Sequence, residues 1–254
     1  MKIRILGCGT SGGVPRIDGY WGRCDPDEPK NRRRRVSIMV EEGETRVIVD
    51  TSPDLREQML DARVNRLDAV FFSHDHADHT HGIDDLRGLY QANRRRIDCY
   101  GNADTMATLR ARFGYAFDGE NGYPATCAAH VLGGPVVRGG LHVAPFSQIH
   151  GPIESLGFRF TANGRYAAYS TDLIDLPEES YPYVENLDLW IIDALRPEPH
   201  PTHLHLERTL DFINHFQPKR AVLTHMNWDM DYRTLSNSLP EHIQPGYDGL
   251  EIHL

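Results

Sequence analysis

Cysteine is scarce in this chain. The four cysteines, Cys8, Cys24, Cys99 and Cys127, lie far apart and form no CxxC pair. That spacing excludes a dense disulfide framework and suits a reducing compartment. Long apolar runs are also missing: nowhere do about 18 apolar residues follow one another, so no helical membrane span is expected. The opening stretch MKIRILGCGT has no basic segment leading into an apolar core and a small-residue cleavage site. A secretory signal is therefore not expected there, and a cytoplasmic location is. Positive charge is in deficit, with 27 Lys and Arg against 36 Asp and Glu and a formal net charge of −9. This balance argues against a broad, non-specific nucleic-acid surface. Two local basic runs remain, Arg32–Arg35 and Arg94–Arg96, and such a run is usually a solvated face. There is no linker, low-complexity tract or repeat of 20–50 residues.

What is present is enough for a substantial core. With 254 residues, 40% of them hydrophobic, the chain reads as a single α/β domain over residues 1–254. Alternation and turn residues predict strands over Lys2–Leu6, Ser37–Glu41 and Arg46–Asp50, the last two joined as a hairpin at Glu42-Gly43-Glu44. A short helix is expected over Pro53–Ala62 with Ser52 as its N-cap. Ala69–Phe72 reads as a buried strand. Ala103–Phe113 reads as a helix, and Gly114–Thr126 as a surface excursion or lid. Further strands are expected at Leu141–Phe146, Gly157–Thr161, Tyr166–Ser170, Leu187–Asp193 and Ala221–Leu223, with a turn at Asn163-Gly164. The strongest helical pattern is His205–Phe216, with Leu204, Leu206, Leu210 and Ile213 on its apolar face. Two packed sheets with helices outside are compatible with this order.

The chemistry concentrates directly after Ala69–Phe72, in Ser73-His74-Asp75-His76-Ala77-Asp78-His79. Three imidazoles and two carboxylates in six residues at a strand end are costly to pack unless something satisfies them, and a divalent cation does so. His74 and His76 can converge on one ion if the loop curls, with Asp78 and His79 turned toward a second. The bland alternative is an exposed polar loop rich in histidine.

This HxHxDH pattern after a buried strand resembles the metallo-β-lactamase superfamily. The resemblance gains weight because the later ligand positions follow in order: His150, Asp172 and His225 each lie near the end of an expected strand. The resemblance implies a four-layer αββα sandwich. It implies a first metal held by His74, His76 and His150, a second held by Asp78, His79 and His225, and Asp172 as the bridge. Nitrogen and carboxylate donors suit two divalent ions, with Zn²⁺ or Mn²⁺ favoured and Fe²⁺ also compatible. Two such ions about 3.5–4 Å apart can share a hydroxide and clamp a phosphoryl or acyl oxygen. Members of the superfamily with iron redox chemistry typically carry Glu where this chain has His76, so the resemblance favours hydrolysis.

Other segments narrow the branch. Gly7-Cys8-Gly9-Thr10-Ser11-Gly12-Gly13 contains GxGxxG, but the following Val14-Pro15-Arg16 does not open a helix, so a dinucleotide fold is excluded. As a turn rich in backbone N–H groups the segment can line a phosphate site, or it is a plain tight turn. Together with Asn31–Arg35, Pro201-Thr202-His203-Leu204-His205, Thr224-His225 and Gly246-Tyr247-Asp248-Gly249, it resembles the phosphodiesterase branch. That branch includes the phosphoribosyl cyclic phosphate phosphodiesterases and, more distantly, ribonuclease Z. It implies a small phosphorylated substrate or nucleotide, with His203, Asp78 and Asp172 as the catalytic groups. His203 would help the leaving oxygen depart, and His205 is the competing choice. The cysteine cluster and second histidine that hold a structural zinc in the phosphonate enzymes are represented only by Cys24, with Asn227 where the histidine would be, so no structural zinc is expected. No segment is long or charged enough to be a transfer-RNA arm, so no large nucleic-acid partner is expected. A homodimer is compatible with the sequence. Amide or thioester hydrolysis, and nucleotide binding with little turnover, are the competing functions.

Overall fold

The computed structural model describes all 254 residues. Fourteen strands form two sheets of seven. In chain order they are β1 (Lys2–Gly7), β2 (Ser37–Glu42), β3 (Thr45–Val49), β4 (Ala69–Phe71), β5 (Ile97–Gly101), β6 (Cys127–Val131), β7 (Val136–Arg138), β8 (Leu141–His150), β9 (Ile153–Ala162), β10 (Arg165–Ser170), β11 (Leu189–Asp193), β12 (Ala221–Thr224), β13 (Ile243–Pro245) and β14 (Glu251–His253). The helices are α1 (Leu55–Ala62), α2 (Ala77–Thr80), α3 (Leu86–Asn93), α4 (Ala103–Asp118), α5 (Tyr181–Val184), α6 (Leu206–Phe216) and α7 (Tyr232–Ser238). The first sheet runs β14-β1-β2-β3-β4-β5-β6 and the second β13-β12-β11-β10-β9-β8-β7. No helix is long and apolar enough to cross a membrane.

The four layers follow from the period-2 geometry of strands that are apolar on both faces. In β1–β4 the residues Ile3, Ile5, Ile38, Val40, Val47, Val49, Ala69 and Phe71 point into the core between the sheets. Their neighbours Leu6, Met39, Ile48, Val70 and Phe72 point outward, under Leu55 and Met59 of α1, Leu86 of α3 and Met106 and Leu109 of α4. On the far side, Phe212 of α6 meets the fully buried Trp190 of β11 edge-on, with ring centroids 6.4 Å apart. The indole N–H of Trp190 donates to Ser170 Oγ at 3.0 Å, so its polar edge is satisfied inside the core.

Several expected boundaries shift. Helix α1 takes Asp54, not Ser52, as its N-cap residue. Ser52 is instead buried, with its hydroxyl accepting from the Asp54 N–H. Helix α4 continues beyond Phe113 to Asp118 with a kink at that residue, so the expected excursion at Gly114–Thr126 begins as helix. The buried side of α6 is Thr209, Phe212 and Ile213, with Leu206 and Leu210 only partly covered, because Phe212 and Phe216 are the residues that pack on Trp190. The expected 141–146 and 157–161 strands are the open half of a longer hairpin that carries β8 out to His150. The Asn163-Gly164 turn is as expected, with both residues at positive φ.

What positions the site is the shared end of the central strands. Strands β10, β11 and β12 are parallel, with Ser170 opposite Ile192 and Asp193 opposite Thr224. Their carboxyl ends, the end of β8 and the loop after β4 therefore open onto one rim. Open α/β sheets place ligands at such an edge.

Candidate metal centre

The candidate ligands stand on strand ends, on the turns after them, or on the one-turn helix α2, which carries Asp78 and His79. Asp50, Asp172 and His225 all adopt left-handed backbone conformations, with φ of 65°, 54° and 58°. Non-glycine residues pay about 1 kcal/mol or more for that region, and such strain gathers where function needs a side chain re-aimed. The turn makes each strand deliver its last polar side chain across the sheet edge instead of along it.

The side chains converge. Ring nitrogens of His74, His76 and His150 lie within 4.8 Å of one another, as do the donor atoms of Asp78, His79 and His225. Asp172 sits between the two groups. Its carboxylate oxygens lie 3.3 Å from His79 Nε2, 3.6 Å from His225 Nε2, 3.8 Å from His150 Nε2 and 4.0 Å from His74 Nε2. The structure thus brings together all seven residues singled out in the sequence.

Hydrogen bonds on the far side of the rings fix which nitrogen faces inward. His150 Nδ1 donates to the Thr202 carbonyl at 2.9 Å, and His79 Nδ1 donates to Asp50 Oδ2 at 2.7 Å. Asp50 also accepts from the Ser73 N–H and hydroxyl. Both imidazoles are therefore held as the tautomer that leaves Nε2 as a lone-pair donor. Meanwhile Nε2 of His74, His79 and His225 are buried without any hydrogen-bond partner. An unsatisfied buried polar atom costs about 1–3 kcal/mol, so three of them around one carboxylate are costly unless a cation accepts their lone pairs. The donor set, imidazole nitrogen with carboxylate oxygen, fits divalent cations.

The protein's own electrostatics point the same way. Burial opposes a charge on His225, yet the carboxylates of Asp172 and Asp193 push its pKa up to about 9. Burial likewise raises the Asp172 carboxyl, but His225 and His79 outweigh it and hold the carboxyl well below the ordinary range. Negative charge is thus fixed at the centre of the site and calls for a positive counterpart.

His203 and His205 part company here. His203 stacks on His225 with ring centroids 4.7 Å apart, and its Nδ1 donates to Asp193 Oδ2 at 3.0 Å. It lines the same cavity as His76, Asp78, His150, Asp172 and His225, a hollow of about 310 Å³. His205 is the N-cap residue of α6; its carbonyl accepts from Thr209 and its side chain makes no cap hydrogen bond.

Sequence reasoning passed over Asp50 and Asp193, both fully buried. The available signal was the pattern of Asp172 itself, an apolar strand closing on an aspartate, repeated in Val47-Ile48-Val49-Asp50 and Trp190-Ile191-Ile192-Asp193. The glycine loop, which the sequence offers as a phosphate-lining turn or a plain tight turn, packs closely against the Arg33–Arg35 segment. A Cβ at Gly7 would collide with the Arg35 carbonyl, and one at Gly9 would lie 2.9 Å from the Arg34 carbonyl. This close approach lets Thr10 N–H bond the Met226 carbonyl at 3.1 Å and Met226 N–H bond the Cys8 carbonyl at 2.9 Å. The loop is thereby tied to the strand end that carries His225, and Ser11 is set at the cavity mouth.

Comparison with known proteins gives consistent relatives. A family model described as "Beta-lactamase superfamily domain" matches residues 45–226. A crystal structure described as a new diphosphatase from the PhnP family is 33% identical, covers 100% of this chain and 97% of that one, and superposes with a TM-score of 0.89. An octanoyltransferase of Porphyromonas gingivalis is 31% identical over 258 residues, which is 99% of this chain and 51% of that protein. A ribonuclease Z of Bradyrhizobium is 26% identical over 142 residues, 54% of this chain and 47% of that protein. The chain thus aligns with about half the length of these curated relatives.

Proposed function

Because this chain belongs to the beta-lactamase superfamily, we propose that it is a metal-dependent phosphodiesterase acting on a small phosphodiester such as a cyclic ribose phosphate or a nucleotide. The observation that carries the reading is the set of buried, unpartnered Nε2 atoms of His74, His79 and His225 arranged around Asp172. In this reading His74, His76 and His150 would hold one divalent ion, Asp78, His79 and His225 would hold a second, and Asp172 would be available to both. Zn²⁺ or Mn²⁺ there would supply Lewis-acid stabilisation of a phosphoryl oxygen and a nucleophile at neutral pH.

The chain's own residues do the rest. Asp50 and the Thr202 carbonyl lock His79 and His150 in the tautomer that donates inward. Asp172 is steadied by the Thr171 hydroxyl, which donates to its Oδ2 at 2.6 Å, and by Ser155 on its backbone carbonyl. His203 is the proton donor to the departing alkoxide. Asp193 keeps its Nδ1 protonated and oriented, and stabilises the ring when it carries charge. The 310 Å³ hollow is large enough to admit a small phosphodiester.

The whole-chain similarity to a PhnP-family diphosphatase supports phosphorus chemistry. The octanoyltransferase relative raises acyl chemistry as a second reading. Against it, the hollow offers only Pro152 and Ile153 as apolar lining, too little for an eight-carbon chain. Metal-loaded protein should hydrolyse bis(p-nitrophenyl) phosphate in a chelator-sensitive way, and Asp172→Ala should abolish turnover and lower metal content. Unchanged turnover in that variant rejects the assigned site. Rapid turnover of a cephalosporin or a glutathione thioester, with none on phosphodiesters, rejects the reading.

A further inference from the structure

Of the seven candidate ligands only His76 is exposed. The far nitrogens of His74, His79 and His150 have partners in the Ser73 hydroxyl at 3.0 Å, Asp50 and the Thr202 carbonyl, and Nδ1 of His225 faces Asp193 at 3.6 Å. The His76 ring makes no hydrogen bond of its own. It lies roughly edge-on against the rings of His74 and His150, with centroids 4.4 Å and 5.2 Å away. A metal-ligating histidine is normally oriented by a bond on its far nitrogen, so the aim of His76 falls to its backbone.

That backbone is held on both sides. After it, the His76 carbonyl accepts from the His79 N–H at 3.1 Å and from the Thr80 hydroxyl at 2.8 Å, in the single turn of α2. Before it, Arg112 of α4 reaches the peptide group that joins Asp75 to His76. Its Nη1 donates to the Asp75 carbonyl at 2.6 Å, and its Nη2 lies 3.5 Å from Asp75 Oδ2. A guanidinium donor makes this the stronger, charge-assisted kind of hydrogen bond. Met106 and Leu109, in the two preceding turns of α4, are buried in the outer core and fix the helix that carries Arg112. The next residue, Phe113, departs from helical geometry, and its ring meets that of His81 with centroids 5.4 Å apart. Consecutive side chains of a straight helix diverge by about 100°. The kink falls where both are turned to one loop, so α4 grips the chain just before His76 and just after Thr80.

We propose that Arg112 is a positioning residue for His76 and thereby sets the affinity of the ion assigned to His74, His76 and His150, without affecting the other. The proposal rests on the two-ion assignment above. Arg112 lies outside the lining of the hollow and acts only through the Asp75–His76 peptide. Its side chain is 45% exposed and that of Asp75 30%, and an ion pair so open to water adds little to stability. What depends on Arg112 is the direction of one peptide group, and through it the direction of a ring that nothing else anchors.

The test is a double-mutant cycle read by zinc uptake of the full chain across a series of buffered free-Zn²⁺ concentrations. The four proteins are the parent, Arg112→Ala, His76→Ala and the double variant. We expect Arg112→Ala to weaken one of the two ions by about 10- to 100-fold and to leave the other within about threefold of the parent. His76→Ala should weaken the same ion. The double variant should lose no more than His76→Ala alone, because the aim of a ring has no effect once the ring is gone. The thermal midpoint of Arg112→Ala at saturating zinc should match the parent's; a fall there marks Arg112 as structural and overturns the role. Additive losses, equal weakening of both ions, or affinities equal to the parent's overturn the positioning role and leave the two-ion assignment standing. Uptake of a single ion by the parent overturns that assignment. The positioning role then stands if Arg112→Ala and His76→Ala weaken that ion without additivity, and falls if they do not.

Discussion

Replacing Asp193 with Asn keeps the shape of a fully buried side chain and removes the negative charge between two imidazoles. Asp193 Oδ2 accepts from His203 Nδ1 at 3.0 Å, while Oδ1, which has no hydrogen-bond partner, lies 3.6 Å from His225 Nδ1. Burial pushes this carboxyl up, but His203 and His225 outweigh burial and keep it below the ordinary range. A hydrogen bond to a charged group contributes about 1.5–3 kcal/mol, which at about 1.4 kcal/mol per decade is roughly 10- to 150-fold in rate. The amide can also turn its NH₂ toward His203 and impose the wrong tautomer; the same exchange behind the serine-protease histidine costs about 10⁴-fold. We therefore expect kcat for bis(p-nitrophenyl) phosphate to fall by roughly 10- to 10⁴-fold, with KM little changed. Elemental analysis should show metal content retained. Turnover within about threefold of the parent at every pH would refute the argument. A loss of activity explained wholly by lost metal would refute it too, since Asp193 would then act only through His225.

Other expectations follow from individual side chains. His203→Ala should lower kcat by roughly 10²- to 10⁴-fold, whereas His205→Ala should stay within a few-fold; the reverse order would exchange their roles. Arg33 is buried and donates to the carbonyls of Asn227 at 3.1 Å and Met230 at 2.6 Å and to Asn31 Oδ1 at 3.3 Å, joining two loops near the site. Arg33→Met leaves those acceptors unpaired, so the unfolding free energy in urea should drop by about 3 kcal/mol; an unchanged midpoint would show that the link carries no stability. Burial raises the Asp248 carboxyl to about 7, against the backbone N–H bonds from Arg34 and Cys8 that favour its charged form. Because the folded value lies above the unfolded one, this group's contribution is full below about pH 4 and is lost as pH rises through about 7, at most about 4 kcal/mol in all. Asp248→Asn should flatten that part of the stability–pH profile; parallel profiles for the two proteins would remove Asp248 as its source.

Much of the site could be read from the sequence because several ligands are close neighbours in the chain. His74 to His79 occupy one turn after a buried strand, and such a cluster has few structural explanations. Strands with both faces buried are also legible, as in Val47–Val49 and Leu189–Asp193. Asp50 and Asp193 were not, because a single aspartate closing an apolar strand looks like any strand end until its hydrogen-bond partners are known. Nor could the end of β8 or the extension of α4 be placed. On α6 the expected face of Leu206, Leu210 and Ile213 is rotated from the buried one, Thr209, Phe212 and Ile213, which shares the helical spacing with Phe216 and packs on Trp190.

The order of residues by itself determined the principal strand segments and the types of donor available, because period-2 burial and ligand chemistry are local properties of the chain; the two-sheet sandwich was implied only by the family resemblance. Only the tertiary structure decided which donors meet. His150, Asp172, Asp193 and His225 come from four strands, and their relative positions depend on strand register and on two left-handed backbone turns, at Asp172 and His225. The same holds for the choice between His203 and His205, two residues apart in sequence: one is held by Asp193 against His225, while the other caps a helix.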